Sequence, residues 1–225
     1  MDNAVHGAKG LNVAETLRGA IQTGRYVPGQ RLVEADLTRE MGVSRSLLRE
    51  AFRLLSAEGL VETVPNRGAL VKRLSLTEAL ELFQIRMELE ALAARLAADR
   101  ARNPAVLARF EDDTTEIWSD SPRLSAAAYI AENERFHAAV FRASGNSQLR
   151  KLNRQLQLSL IMAQIASSMT PEIIAASIAE HRDIARAIRA GDSADADQGA
   201  RDHLNRARTF IETMPGDVFR REDEA

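Results

Sequence analysis

Three histidines in the second half of the chain are the residues best suited to hold a metal ion. His137, His181 and His203 fall in separate segments, and Asn133 stands four residues before His137 in the stretch NERFH. Residues four apart share one face of a helix, so Asn133 would bring an amide oxygen beside an imidazole. Three imidazoles and one oxygen form a workable ligand set for Zn, Ni or a similar divalent ion.

The spacing of these histidines leaves alternatives open. Positions so far apart in the chain do not show that their segments meet, and each histidine could be an ordinary hydrogen-bonded helix residue. Three histidines beside a polar residue also resemble the catalytic zinc site of a hydrolase. The sequence offers no general base beside such a metal and contains no HExxH motif or similar signature.

A second stretch, VSRSLLREAFRLLSAEGL at residues 43–60, combines an apolar face with arginines. Ser44 is a suitable N-cap, and Ser44, Arg45, Ser46 and Arg49 gather hydrogen-bond donors near the start of the predicted helix. Arginine can read guanine through two hydrogen bonds, and serine hydroxyls and helix-start N–H groups can hold phosphates. The pattern is typical of a recognition helix in the DNA major groove, although a solvated arginine-rich face would look the same.

The elements around this stretch are those that would position it on DNA. Periodicity predicts helices over residues 11–24 and 34–41 before it, and the strands LVETV and ALVKR after it. The turn Pro-Asn-Arg-Gly joins the strands and places Arg67 at the hairpin tip, where it could enter the minor groove or hold the backbone. Three helices followed by a hairpin form a winged helix-turn-helix.

From residue 75 onward the pattern is helical throughout. Ser75 followed by Glu78 is a capping box, and Pro and Gly punctuation divides the remainder. The predicted fold class is therefore mainly α, with an N-terminal winged helix-turn-helix and a C-terminal all-α antiparallel bundle. The bundle's predicted helices cover about 75–101, 104–119, 122–143, 146–168, 171–190 and 193–214.

Composition is consistent with two domains of different charge. Residues 1–74 carry 11 basic and 8 acidic residues, whereas residues 75–225 carry 19 and 24. We expect a DNA-binding domain at 1–74, an effector-binding and dimerisation domain at 75–214 and a flexible tail at 215–225, with a hinge at Lys72–Ser75.

The chain contains no cysteine, no signal-peptide pattern and no apolar run of about 18 residues. Thiol chemistry and a membrane span are therefore not expected, and the cytoplasm is the expected location.

Residues 11–73 resemble the DNA-binding domain of GntR-family bacterial transcription regulators. The resemblance lies in LRGAIQTGRYVPGQRL, LTREMGVSRSLLREAFRLLSAEGLV and PNRGALV. It implies that DNA is contacted by Ser44, Arg45, Ser46, Arg49, Arg67 and Gly68. Many members have Thr-Pro after the serine-arginine pair, where this chain has Ser46-Leu47. Leucine changes how the helix begins rather than its donors, because proline presets the first helical turn.

Residues 75–214 resemble the FCD effector domain, in its shorter VanR-like form with six helices. The resemblance lies in ELFQIRMELEALAARLAA, NERFHAAVFRASGN, EHRDIARAI and ARDHL. The family's metal motif maps onto Asn133, His137, His181 and His203. Aspartate is common where this chain has Asn133, and a neutral amide binds a cation more weakly.

The FCD resemblance also implies a ligand. Family effectors are usually small carboxylates or sugar acids bound beside the metal, and Arg86 matches an arginine that could pair with such a carboxylate. Arg86 could instead form an ion pair with Glu90, Glu81 or Glu134.

The sequence as a whole predicts a homodimeric transcriptional regulator, a repressor rather than an enzyme, that responds to a small organic acid. Dimerisation on a palindromic operator follows because one recognition helix reads too few base pairs of double-stranded DNA. A metal-dependent hydrolase and a ligand-independent DNA-binding protein are the alternatives.

Overall fold

The chain forms two compact units in the computed structural model, which describes residues 2–64, 68–121, 123, 125–155 and 158–221. The first unit contains residues 1–74 and 157–164, and the second contains residues 75–156 and 165–225. One border between the units falls between Leu74 and Ser75. Among the described helices, none is both long enough and apolar enough to cross a membrane.

The first unit places a small sheet beside three helices. The helices are α1 (Asp2–Gln22), α2 (Glu34–Met41) and α3 (Arg45–Ala57), and the strands are β1 (Arg31–Leu32), β2 (Val61–Val64) and β3 (Gly68–Val71). The strands are antiparallel in the order β1-β3-β2. The sequence predicted only the β2–β3 hairpin, because a two-residue strand is too short to show alternation. Helix α1 also begins nine residues before its predicted start.

The second unit surrounds one long, alanine-rich helix. Its helices are α4 (Leu76–Arg100), α5 (Pro104–Asp113), α6 (Ala126–Ala143), α7 (Ser147–Gln155), α9 (Pro171–Ala190) and α10 (Ser193–Glu212). Between α7 and α9 lies α8 (Leu158–Ile165), most of which belongs to the first unit. Short 3-10 helices occupy Thr115–Trp118 and Ala166–Ser168. Helix α4 contacts α6, α9 and α10. These helices can approach closely because the residues at the contacts are small; the fully buried alanines of α4 are Ala91, Ala93, Ala94, Ala97 and Ala98.

Helix α4 begins at the predicted capping box. The Glu78 amide donates to Ser75 Oγ at 3.1 Å, and the Ser75 amide donates to Glu78 Oε2 at 2.8 Å. The described end of the chain packs at this same place: Phe219 is buried, Ser75 forms a β-bridge with Arg220, and Arg220 Nη2 lies 3.2 Å from Glu78 Oε2. Residues 215–221 are thus not the flexible tail that their many charges suggested, because Phe219 anchors them.

Helix α8 (Leu158–Ile165) supplies the first unit with a segment from far along the chain. Leu160 and Ile161 are fully buried. The Gln164 side chain accepts from the Leu74 amide at 3.0 Å and donates to the Leu74 carbonyl at 2.9 Å. The predicted helix over 146–168 therefore divides between the two units, so the described part of 75–214 contains more than the six predicted helices.

Candidate metal centre and DNA-contacting surface

The three predicted histidines meet in the second unit. His137 comes from α6, His181 from α9 and His203 from α10, and all three are buried. One ring nitrogen of each lies within 4.8 Å of those of the other two. His181 Nε2 and His203 Nε2 are 3.3 Å apart, so these two atoms face the centre of the cluster.

Two carboxylates that the sequence did not assign to this site hold the outer nitrogens of two histidines. His137 Nδ1 lies 2.5 Å from Glu90 Oε2, and His203 Nδ1 lies 2.7 Å from Glu180 Oε2. A carboxylate only accepts, so each Nδ1 donates. Sequence reasoning considered Glu90 only as a partner of Arg86 and missed Glu180, because no local spacing connects either residue to its histidine.

Each of these carboxylates is also paired with an arginine. Arg86 Nη2 donates to Glu90 Oε1, Arg206 Nε donates to Glu180 Oε1, and Arg206 Nη2 donates to Glu180 Oε2 at 2.7 Å. Burial raises the pKa of the Glu90 carboxyl, but Arg86 and His137 outweigh it and hold that pKa well below its usual value.

The charge state of the second carboxylate is set in the same way. Burial raises the pKa of Glu180, but the hydrogen bonds from His203 and Arg206 lower it further than burial raises it. Both acids are therefore ionised at neutral pH and act as hydrogen-bond acceptors.

The environment also favours the neutral imidazole at His181 and His203. Burial, and then the neighbouring rings of His203 and His137, hold the pKa of His181 well below its ordinary value. Burial lowers the pKa of His203 although its bond to Glu180 opposes the shift. Neutral imidazole is the form that binds a metal, so a buried cluster of this kind fits a divalent ion.

Asn133, the predicted fourth ligand, is buried one helical turn before His137. The Tyr129 hydroxyl lies 3.3 Å from Asn133 Oδ1 and 2.6 Å from Ser177 Oγ. Burial raises the pKa of Tyr129 to about 12, so the hydroxyl stays protonated. Asn133 therefore belongs to a small polar group on α6 and α9, next to the histidine cluster along α6.

Arg86, the predicted effector residue, forms the ion pair with Glu90 that was its alternative role. Its side chain is 2% exposed, and its guanidinium carbon lies 5.2 Å from the centre of the Phe83 ring. Its Nε is buried and has no hydrogen-bond partner among the described residues. One donor of Arg86 thus remains available beside a fully buried carboxylate.

The predicted DNA-contacting residues lie exposed at the start of α3. Ser44 is the N-cap, with its Oγ accepting from the Leu47 amide at 3.3 Å, and Ser46 Oγ lies 2.9 Å from Ser44 Oγ. Arg45 and Arg49 are exposed, and Arg49 Nε donates to Glu34 Oε1 at 2.9 Å. Gly42 ends α2 in the left-handed region with φ of 65°, which forms the turn between the two helices.

Of the two predicted wing residues, Arg67 and Gly68, the structure describes only Gly68, and Arg67 lies outside the described residues. Gly68 is buried at the start of β3 with φ of 99°, and a Cβ atom there would lie 2.0 Å from the Leu32 carbonyl oxygen. Glycine is therefore required at this position by the close approach of β1, whether or not it also contacts DNA.

Comparison with known families covers both units. Residues 9–71 match the gntR family of bacterial regulatory proteins, and residues 81–206 match the FCD domain. These are the two families predicted from the sequence, and both predictions are confirmed.

Individual relatives are also transcriptional regulators. The probable D-xylose utilization operon transcriptional repressor of Paenarthrobacter nicotinovorans is 33% identical over 82% of this chain and 80% of its own length. The galactonate operon transcriptional repressor of Escherichia coli (strain K12) is 31% identical over 61% of this chain and 68% of its own length.

A solved structure has the same fold. E. coli McbR/YncC matches 91% of this chain and 97% of its own with a TM-score of 0.78 at 19% identity. The predicted fold class, a winged helix-turn-helix followed by a helical domain, is confirmed, as is the prediction that the chain is not an enzyme. The chain belongs to the GntR family, in the group that carries an FCD domain, and is a DNA-binding transcriptional regulator.

Proposed function

We propose that this regulator is a homodimeric repressor whose operator binding is controlled by a small carboxylate or sugar acid bound beside a divalent metal ion. The observation that carries the proposal is the convergence of three buried histidines on one point. Two relatives are named as operon repressors, which supports the direction of control. The effector acts by binding two conformations of the regulator with different affinity. As a DNA-binding regulator, the protein works in the cytoplasm.

The metal is held by His137, His181 and His203, with Asn133 as the fourth ligand. Imidazole nitrogen suits Zn and Ni, and the cation provides a positive centre on which an effector carboxylate can be anchored. Because Asn133 is neutral, the ligand set adds no negative charge, which favours an anionic effector.

Arg86 provides the second contact to the effector carboxylate. Its buried Nε lacks a partner among the described residues, and leaving such a donor unsatisfied costs about 1–3 kcal/mol. A carboxylate that accepts from Nε would remove this cost while Glu90 keeps its bond to Nη2. The planar guanidinium allows both contacts at once.

DNA is contacted by the exposed start of α3 and by the wing. Ser44, Arg45, Ser46 and Arg49 supply the donors there, with Gly68 and Arg67 as the wing residues. Two copies read a palindrome, since one helix contacts too few base pairs for specificity.

A row of apolar residues on α4 supports dimerisation through the second unit. Leu82, Ile85, Leu89, Leu92 and Leu96 follow a spacing of three and four residues. Ile85 is 51% exposed and the other four are half-buried, with Leu89, Leu92 and Leu96 also packed against the core of their own unit. A repeat of this kind suits helix-to-helix packing between two copies.

The first test is the metal content of untagged protein purified without added metal, measured by elemental mass spectrometry. We expect about one divalent ion per chain, as a three-histidine site requires. His181→Ala should lose the ion, whereas His6→Ala, which changes the fourth histidine of the chain, should retain it. The metal-loaded protein is then screened with organic acids for loss of operator binding. A wild-type protein that takes up neither Zn nor Ni would refute the metal centre.

A further inference from the structure

We propose that Glu90 and Glu180 are positioning residues of the metal centre, each fixing the ring of one histidine so that its Nε2 faces the ion. This inference rests on the metal centre proposed above. It concerns two residues that do not themselves bind the ion.

Hydrogen bonding determines which nitrogen of each ring is free. The proton of His137 lies on Nδ1 because Glu90 Oε2, 2.5 Å away, can only accept, and the lone pair is then on Nε2. Glu180 Oε2 imposes the same choice on His203 at 2.7 Å. The freed Nε2 of His203 lies 3.3 Å from His181 Nε2, inside the cluster. Both carboxylates thus select the tautomer that a metal ligand needs.

An arginine holds each carboxylate in turn, which gives two Arg–Glu–His chains. The first runs from Arg86 through Glu90 to His137, and the second from Arg206 through Glu180 to His203. Arg86 binds Oε1 of Glu90 and leaves Oε2 for His137. Arg206 instead binds both oxygens of Glu180 and shares Oε2 with His203. In both chains the carboxylate cannot rotate away without breaking a bond to its arginine. The guanidinium also offsets the cost of burying a charge.

The third histidine is held by packing instead. The Phe136 ring stacks on His181 with their centres 4.2 Å apart, and His181 Nδ1 has no partner among the described residues. Two of the three histidine ligands therefore depend on a carboxylate, and the effect of removing each carboxylate should be confined to its own ring.

The first Arg–Glu–His chain links the effector to the metal. Arg86 is the proposed effector residue, and its partner Glu90 bonds directly to a metal ligand. A contact that moves Arg86 changes the hold on His137, so effector and metal should each alter the other's affinity by the same factor.

The test measures metal affinity and ring protonation in full-length protein. Glu90→Gln and Glu180→Gln keep the shape of the side chain and remove its charge. Each should weaken zinc binding about 10–100-fold in competition with a chromophoric chelator. Glu88→Gln is the matched control, because Glu88 is on the same helix but is exposed and paired with Arg201. It should bind zinc like the wild type, and thermal melting of the metal-free proteins reports whether each variant folds.

Nitrogen-15 NMR of the zinc-loaded wild type supplies a readout that needs no variant to fold. His137 and His203 should show protonated Nδ1 and zinc-bound Nε2, and the opposite assignment would overturn the proposal. Zinc affinity unchanged in both glutamine variants would also overturn it while leaving the metal centre intact. A wild type that binds no zinc would instead refute the metal centre itself, so the two failures are distinguishable.

Discussion

Replacing Arg86 by methionine should strongly destabilise the second unit. The Arg86 and Glu90 side chains are 2% and 4% exposed, so Arg86→Met leaves a carboxylate buried with only His137 to compensate it. Removing one partner of a buried pair typically costs about 3–5 kcal/mol, whereas methionine roughly preserves the packing volume. We expect a loss of this size in the free energy of unfolding, measured by urea denaturation of the metal-free protein.

Two comparisons isolate the buried charge as the cause. Arg201→Met breaks the ion pairs of Arg201 with Glu88 on α4 and with Asp197 on α10, but all three side chains are partly exposed and each pair should contribute little. The double variant Arg86→Met/Glu90→Gln should recover part of the loss, because it removes the unpaired charge as well. If the free energy of unfolding of Arg86→Met lies within about 1 kcal/mol of the wild-type value, the reasoning about this pair is wrong.

Three further predictions concern DNA binding, the wing and assembly. Arg45→Ala and Arg49→Ala should each weaken operator binding in a gel-shift assay while thermal stability is kept; unchanged affinity would contradict the recognition-helix assignment. Gly68→Ala should destabilise the first unit by about 1–3 kcal/mol in a melting experiment, whereas Gly19→Ala, in a helix with open space, should not destabilise it. Ile85→Lys should yield monomers in analytical ultracentrifugation, and Leu152→Lys, at an exposed leucine outside the α4 row, should remain dimeric.

The features that the sequence predicted well are set by nearby residues. Helix α3 begins after Ser44 and α4 after Ser75, because each serine side chain caps its own helix. Prolines at 104 and 171 and Gly191 likewise mark helix ends through local backbone preferences. The exposed donors at the start of α3 followed directly from these boundaries.

The features that the sequence could not predict depend on distant contacts. The bond between Glu180 and His203 joins residues 23 positions apart on different helices, and no periodicity reveals it. The convergence of the histidines was implied only by family resemblance, since it depends on how α6, α9 and α10 pack. Strand β1 exists because Arg31 and Leu32 pair with Leu70 and Ala69, almost forty residues later.

The position of α8 has a consequence for how this protein can be divided. The chain passes between the two units three times, next to Leu74, Leu156 and Gln164, rather than once through a single linker. A fragment that ends at residue 74 would lack Leu160 and Ile161 and would lose both Gln164 hydrogen bonds to the Leu74 backbone. We therefore expect such a fragment to be less stable than the first unit of the full chain, because part of that unit's core comes from residues far beyond residue 74.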